Sequence, residues 1–229
     1  MALILIMGLP GAGKSTLRHR LSSAHPELIE STSFDDFRRL QMRSIENNSA
    51  GQSRPTENAR ENRKAFECHV DSRIVSKNRR RRIYLIEDVF YMKSMRRPFL
   101  KIAKRRRLKF GIVFLECTSS EAIRRNSRRT PDERQTEETI LRMAENLEIP
   151  EVSKEKSIIL EQEEAWGIEM ETILESLRIR IEDSEVLEED SKEFLHPRRR
   201  HLPFRISTSP RVVSSPNSSK TIDLWMAGS

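Results

Sequence analysis

The chain has 229 residues, 42 Lys and Arg against 35 Asp and Glu, a net charge of +7 and 36% hydrophobic residues. That length holds one α/β domain with an appended segment and excludes two full domains. Its two cysteines, Cys68 and Cys117, stand outside any CxxC or Cys/His spacing, which excludes a disulfide framework and a zinc site.

No stretch approaches the roughly 20 apolar residues of a membrane span. Ala2 to Met7 is too short, and lacks the basic flank, to be a signal peptide. A soluble, cytoplasmic protein is therefore expected, with a basic surplus suited to an anionic partner larger than a nucleotide.

The chain opens with a buried-strand pattern, Ala2 to Met7, followed at once by GLPGAGKST. Gly8 to Ser15 fits GxxxxGK[ST]. Gly8, Gly11, Ala12 and Gly13 let backbone N–H groups converge on a phosphate, Lys14 reaches the β/γ-phosphates, and the Ser15 hydroxyl is suited to Mg²⁺. The helix from Lys14 through Arg20 adds its positive end to the same place. These features predict ATP and Mg²⁺ as ligands.

Glu27 to Phe34 reads as a second strand ending in Asp35 and Asp36, ahead of Arg38 and Arg39. Ligands of open parallel sheets bind beyond the carboxyl ends of strands, so these charges should lie beside the nucleotide phosphates. Asp36 is favoured as the proton acceptor, with a helix N-cap as the alternative use of either carboxylate. Gln41 to Arg63 is polar and predicts a mobile loop. Asn58 to Lys77 has a helical apolar period, ended by the four arginines Arg79 to Arg82.

Ile83 to Ile86 predicts a third strand, whose acidic end, Glu87 and Asp88, would face Mg²⁺ through a water. Val89 to Arg97, which includes Tyr91 and Met95, follows directly and should shape an acceptor pocket. Pro98 to Arg107 predicts a helix, and Gly111 to Cys117 a fourth strand. Ser119 to Arg129 predicts a helix on which Arg125 and Arg129, four apart, share one face and reach one phosphate cluster. With the polar turn and helix that follow, residues 119–143 form a candidate lid. Ser157 to Leu160 predicts a fifth strand, and Trp166 to Ile181 one amphipathic closing helix.

The expected architecture is thus a P-loop kinase fold over residues 1–181, a mostly parallel five-stranded sheet flanked by helices. Residues 182–229, acidic and then rich in Arg, Ser and Pro, carry too little apolar surface for a packed core and are expected to be disordered.

Three segments together resemble O-phosphoseryl-tRNA(Sec) kinases: GLPGAGKST, the Asp-Asp pair with a following Arg, and the block from Glu87 to Cys117 leading into IRRNSRR. Within that block Glu87-Asp88, Phe90-Tyr91, Ser94-Met95-Arg96 and Arg124-Arg125-Asn126 carry the likeness. The resemblance implies ATP- and Mg²⁺-dependent phosphorylation of the seryl group on selenocysteine tRNA charged with serine. It implies that Gly13, Lys14, Ser15 and Thr16 hold phosphates and magnesium, with Asp36 as catalytic aspartate and Arg39 as its companion. It further implies that Tyr91 and Met95 stand on the acceptor side and that Arg125 and Arg129 are lid arginines. Glu87 stands where the family commonly has Asp, Met92 replaces a frequent second tyrosine, and no counterpart of the family's helical tRNA-gripping region follows residue 181. A small-molecule P-loop kinase and an ATP-hydrolysing, tRNA-linked adaptor of the elongator-associated kind are the rival readings.

Overall fold

The computed structural model describes residues 1–47, 58–76, 83–152 and 155–180, all within the first of the two units into which the chain divides, Met1–Val186. Strands β1 (Ala2–Met7), β2 (Ile29–Ser33), β3 (Ile83–Glu87), β4 (Lys109–Leu115) and β5 (Ser157–Leu160) form one sheet. Their order is β2-β3-β1-β4-β5 and every pairing is parallel. The described helices are α1 (Lys14–Ala24), α2 (Phe34–Asn47), α3 (Ala59–Ser76), α4 (Lys93–Arg105), α5 (Ser119–Asn126), α6 (Glu137–Glu145), α7 (Gln162–Gly167) and α8 (Met170–Ser176). None is long and apolar enough to cross a membrane.

β1 is apolar throughout because both of its faces are covered. Ala2, Ile4 and Ile6 pack with Leu17 and Leu21 of α1 and Ile173 of α8. Leu3, Leu5 and Met7 pack with Phe37 of α2, Phe66 and Val70 of α3, and Phe99 and Ile102 of α4. A third, smaller cluster joins Leu9 to Ala122 of α5 and Ile140 of α6. Since β2, β3 and β1 are neighbours, their carboxyl ends bring Ser33–Asp36, Glu87–Asp88 and the glycine-rich turn together, at the place where parallel α/β sheets bind ligands.

Three sequence expectations change. Gln41 to Arg63 is not one loop: α2 runs on to Asn47 and α3 starts at Ala59, with residues 48–57 outside the described residues. α2 needs few apolar residues because Phe34 and Phe37 anchor it, while Arg38, Arg39 and Met42 face a cleft. Pro98 does not open a helix but lies inside α4, which begins at Lys93. On either side of that proline, buried Phe99 packs with the strand residues Leu3, Leu5 and Met7, and buried Arg96 bonds the Phe90 and Glu148 carbonyls. The closing segment is two short helices, broken after Gly167, and Arg20 Nη2 donates to the carbonyls of Ala165 and Ile168 across the break. That guanidinium takes carbonyls a continuous helix would need. Arg79 to Arg82 and residues 182–229 lie outside the described residues.

Candidate active site

The turn from β1 into α1 is shaped by glycine at two places above all. Gly11 has φ +91° and lies so close to α5 that a Cβ there would stand 2.6 Å from the Ala122 carbonyl oxygen. Gly13, the N-cap of α1, has φ +94°, a conformation that costs any residue with a Cβ. Lys14 is buried and its Nζ donates to the Leu9 carbonyl at 2.9 Å. Burial pushes its ammonium below the usual lysine range, and nearby Arg129 adds to that, against the pull of Glu87. A group in this condition gains much from an incoming phosphate.

Ser15 begins a chain of polar contacts across three strand ends. Its hydroxyl donates to Glu87 Oε1 at 2.6 Å. The other oxygen of Glu87 accepts from Arg18 Nε at 2.7 Å, and Arg18 Nη2 reaches Asp36 Oδ2 at 2.7 Å. Asp36 Oδ1 accepts from Arg39 at 3.4 Å, and Arg39 reaches Glu133, in the turn after α5, at 2.5 Å. Arg18 and Glu87 are buried, so their pair has little water to compete with it.

Arg18 escaped the sequence reading, which took Glu87 and Asp88 together as the acidic strand end. Glu87, not Asp88, touches Ser15; Asp88 is held by Arg63 at 2.6 Å and bonds the Val89 N–H. Arg18 carried no motif, and its signal was a cation three residues beyond Ser15, one helical turn along the side facing β3.

The cap of α2 falls to Ser33, whose Oγ accepts the Asp36 N–H at 2.9 Å, leaving both aspartate carboxylates for the cleft. That cleft has a volume of about 800 Å³ and is lined by Ser15, Arg18, Asp35, Asp36, Arg39 and Arg129 among others. Asp35 differs from its neighbour. Enclosure by the cleft, and then the charges of Asp88 and Glu87, raise its carboxyl above the usual aspartate range, more than Lys14 and Arg39 lower it.

A folded-state pKa above the unfolded one means that ionised Asp35 works against folding at neutral pH, and that this opposition fades as pH falls through the raised value. Asp35→Asn is accordingly expected to raise Tm at pH 7 and to lose that advantage near pH 4. Thermal melts of both proteins over that range check it; a lower Tm for the variant at pH 7 would show the carboxylate to be favourably held.

The two lid arginines do not share a face. α5 ends at Asn126, and Arg129 lies in the turn beyond, its N–H on the Asn126 carbonyl at 3.1 Å. The cause is Asn126 itself: buried, it donates Nδ2 to the Gln135 carbonyl at 2.7 Å and accepts the Gln135 N–H at 3.1 Å. This ties off the turn that leads to α6. Arg129 faces the large cleft near Lys14. Arg125, bonded through Nε to Glu121 at 2.5 Å, borders instead a small pocket of about 50 Å³ with Gly13, Thr16, Arg20 and Trp166. Trp166 is 67% exposed there, a flat ring beside the phosphate turn.

Tyr91 and Met95 are not among the residues lining the cleft. Met95 packs partly buried on the α2–α4 core, and the Tyr91 carbonyl accepts the Glu148 N–H at 2.8 Å. Between them and Asp88, buried Phe90 adopts φ +46°. Its carbonyl accepts from Arg96, which is 1% exposed and also pairs with Glu155 at 3.1 Å.

The donor set suits Mg²⁺. A serine hydroxyl already aimed at a carboxylate, with a second carboxylate beside it, is hard-oxygen chemistry that nucleotide phosphates complete. Among the described residues no three His, Cys, Asp or Glu side chains form a metal cage of their own.

No curated protein matches the sequence. The fold is similar to Kti12 from Chaetomium thermophilum, solved in complex with ADP-AlF3, at 17% identity and TM-score 0.52, over 77% of this chain and 95% of that one. It is similar also to a sugar kinase from a Janibacter species at 18% identity and TM-score 0.51, over 78% and 95%. At such identities the likeness concerns the fold, a kinase-like P-loop NTPase fold. Residues 3–150 match the AAA domain family, and by that match, which takes in well over half of its length, the chain belongs to that family.

Proposed function

We propose that this chain is a cytoplasmic, ATP- and Mg²⁺-dependent kinase that phosphorylates the seryl group of serine-charged selenocysteine tRNA, giving O-phosphoseryl-tRNA(Sec). One observation carries the reading: the contact chain from Ser15 through Glu87 and Arg18 to Asp36 ties a phosphate nest to a carboxylate in a cleft with room for a large acceptor.

In this reading the glycine-turn N–H groups and Lys14 hold the ATP β- and γ-phosphates. Trp166 and Arg125 flank the nucleoside. Ser15, Glu87 and Asp88 would hold Mg²⁺, which would supply positive charge to the nucleotide phosphates. Asp36, fixed by Arg18 and Arg39, accepts the hydrogen bond of the seryl hydroxyl. As the hydroxyl oxygen bonds to the γ-phosphorus, the bond to the β,γ-bridging oxygen breaks and ADP leaves. The hydroxyl proton passes to the Asp36 carboxylate, and Arg129 closes on the transferred group.

The test is transfer of label from γ-labelled ATP to selenocysteine tRNA charged with serine, against serine tRNA charged with serine and both tRNAs uncharged. Label on the charged selenocysteine tRNA alone is the expected result, and Asp36→Asn should lower that turnover about 10²-fold or more with ATP binding nearly intact. Phosphate release without labelled tRNA would replace this reading by the adaptor, and label on a small alcohol in preference to tRNA by the small-molecule kinase.

A further inference from the structure

The outer sides of α3 and α4 carry charge that neither the core nor the cleft uses. From Lys93 to Lys109 the sequence has nine Lys or Arg and no Asp or Glu. Some of these cations are occupied within the fold: Arg96 is buried on Glu155, and Arg105 and Arg106 share Asp71. Arg97, Lys101 and Lys104 are exposed, and among the described residues no carboxylate forms an ion pair with them. They recur at i, i+4 and i+7, which sets them on one side of α4, the first two about 6 Å apart along its axis.

α3 lies alongside, its Phe66 ring 5.9 Å from Phe99 of α4. It contributes a second row, Arg60 and Lys64, exposed and one helical turn apart. Glu67 lies near enough to Lys64 and Lys101 to feel both charges, which places the two rows close together. The same helix reaches the active site: Arg63 bonds Asp88 at 2.6 Å and its guanidinium stands 5.2 Å from the centre of the Phe34 ring, which lines the cleft.

We propose that Arg60 and Lys64 of α3, with Arg97, Lys101 and Lys104 of α4, form a rail for the sugar–phosphate backbone of an RNA whose reacting end enters the cleft past Phe34. This rests on the reading of the acceptor as RNA-borne. Cations on a helix face, with no groove-reading side chains among them, hold phosphates and set orientation without reading sequence. A membrane surface fits less well, because such a face interleaves its cations with large apolar side chains. The exposed positions of α4 here are Ser94, Arg97, Lys101, Lys104 and Arg105.

The experiment titrates the full chain into fluorescently labelled selenocysteine tRNA between about 50 and 200 mM salt, the range over which phosphate contacts are lost. The triple variant Arg97→Glu, Lys101→Glu, Lys104→Glu should bind at least about tenfold more weakly, and its plot of log K against log salt should be shallower by about 2–3. The milder triple glutamine variant should fall between. Unchanged nucleotide quenching of Trp166 fluorescence shows that each variant folds. Equal affinity and slope for wild type and variants, or binding of anionic vesicles in place of RNA, overturns the rail. Loss of RNA binding in the variants of a wild type that never transfers label supports the rail and sinks the kinase reading. Normal label transfer by variants with normal RNA affinity sinks the rail alone.

Discussion

Arg129→Ala is expected to lower the turnover of phosphoryl transfer by about 10³-fold or more, the scale of a lost arginine on a transferred phosphoryl group, with nucleotide affinity nearly unchanged. Arg125→Ala should do the reverse: affinity for ATP falls roughly three- to tenfold, the worth of one guanidinium beside an aromatic ring, while turnover at saturation is largely kept. The split follows from where the two side chains lie, Arg129 in the large cleft near Lys14 and Arg125 with Trp166 and Gly13 around the small pocket. Trp166 supplies the affinity readout once Trp225→Phe removes the other tryptophan. Equal losses of turnover in both variants would mean that the arginines act on one phosphate cluster, as their spacing in sequence suggests.

Arg18→Met should cost about 3–5 kcal/mol of stability, because it leaves Glu87 buried without its cation. For a domain of this size that is on the order of 10 °C in Tm. The double variant Arg18→Met, Glu87→Leu should recover most of that loss, since an apolar pair of similar volume can replace a buried ion pair. It should not recover phosphoryl transfer, because Ser15 loses its carboxylate and Asp36 its strongest tether. Thermal melts and labelled-ATP transfer on the three proteins separate the two effects. A single variant as stable as wild type would show that the pair contributes nothing net to folding.

How much of this was legible depends on how locally each feature is determined. β1, the glycine turn, β3 and β5 are short-range patterns, and their limits in the fold agree with the sequence to within a residue. Helix extents were harder. α2 looks like polar loop because its core anchors, Phe34 and Phe37, lie in its first turns, and α4 hides its start behind Pro98. Arg125 and Arg129 misled for the same reason: i and i+4 share a face only while the helix lasts, and a side-chain clamp from Asn126 to Gln135, nine residues away, ends it. Arg18 was invisible because its partners come from β3 and α2, 69 and 18 residues along the chain. No window on the sequence contains that triad; the parallel sheet assembles it.

The strand order also bears on how the protein is made. β1 leaves the ribosome ahead of both strands it lies between, and Ala2 must wait for Ile83 on one side and Lys109 on the other. Until those segments are synthesised, six consecutive apolar residues, all fully buried in the finished fold, have no strand to pair with. Parallel pairings over such separations form slowly and late. The segment that leads into the nucleotide turn is thus apolar surface whose burial waits on later-made strands, the kind of transiently exposed stretch that favours aggregation, and the topology that creates the cleft imposes that delay.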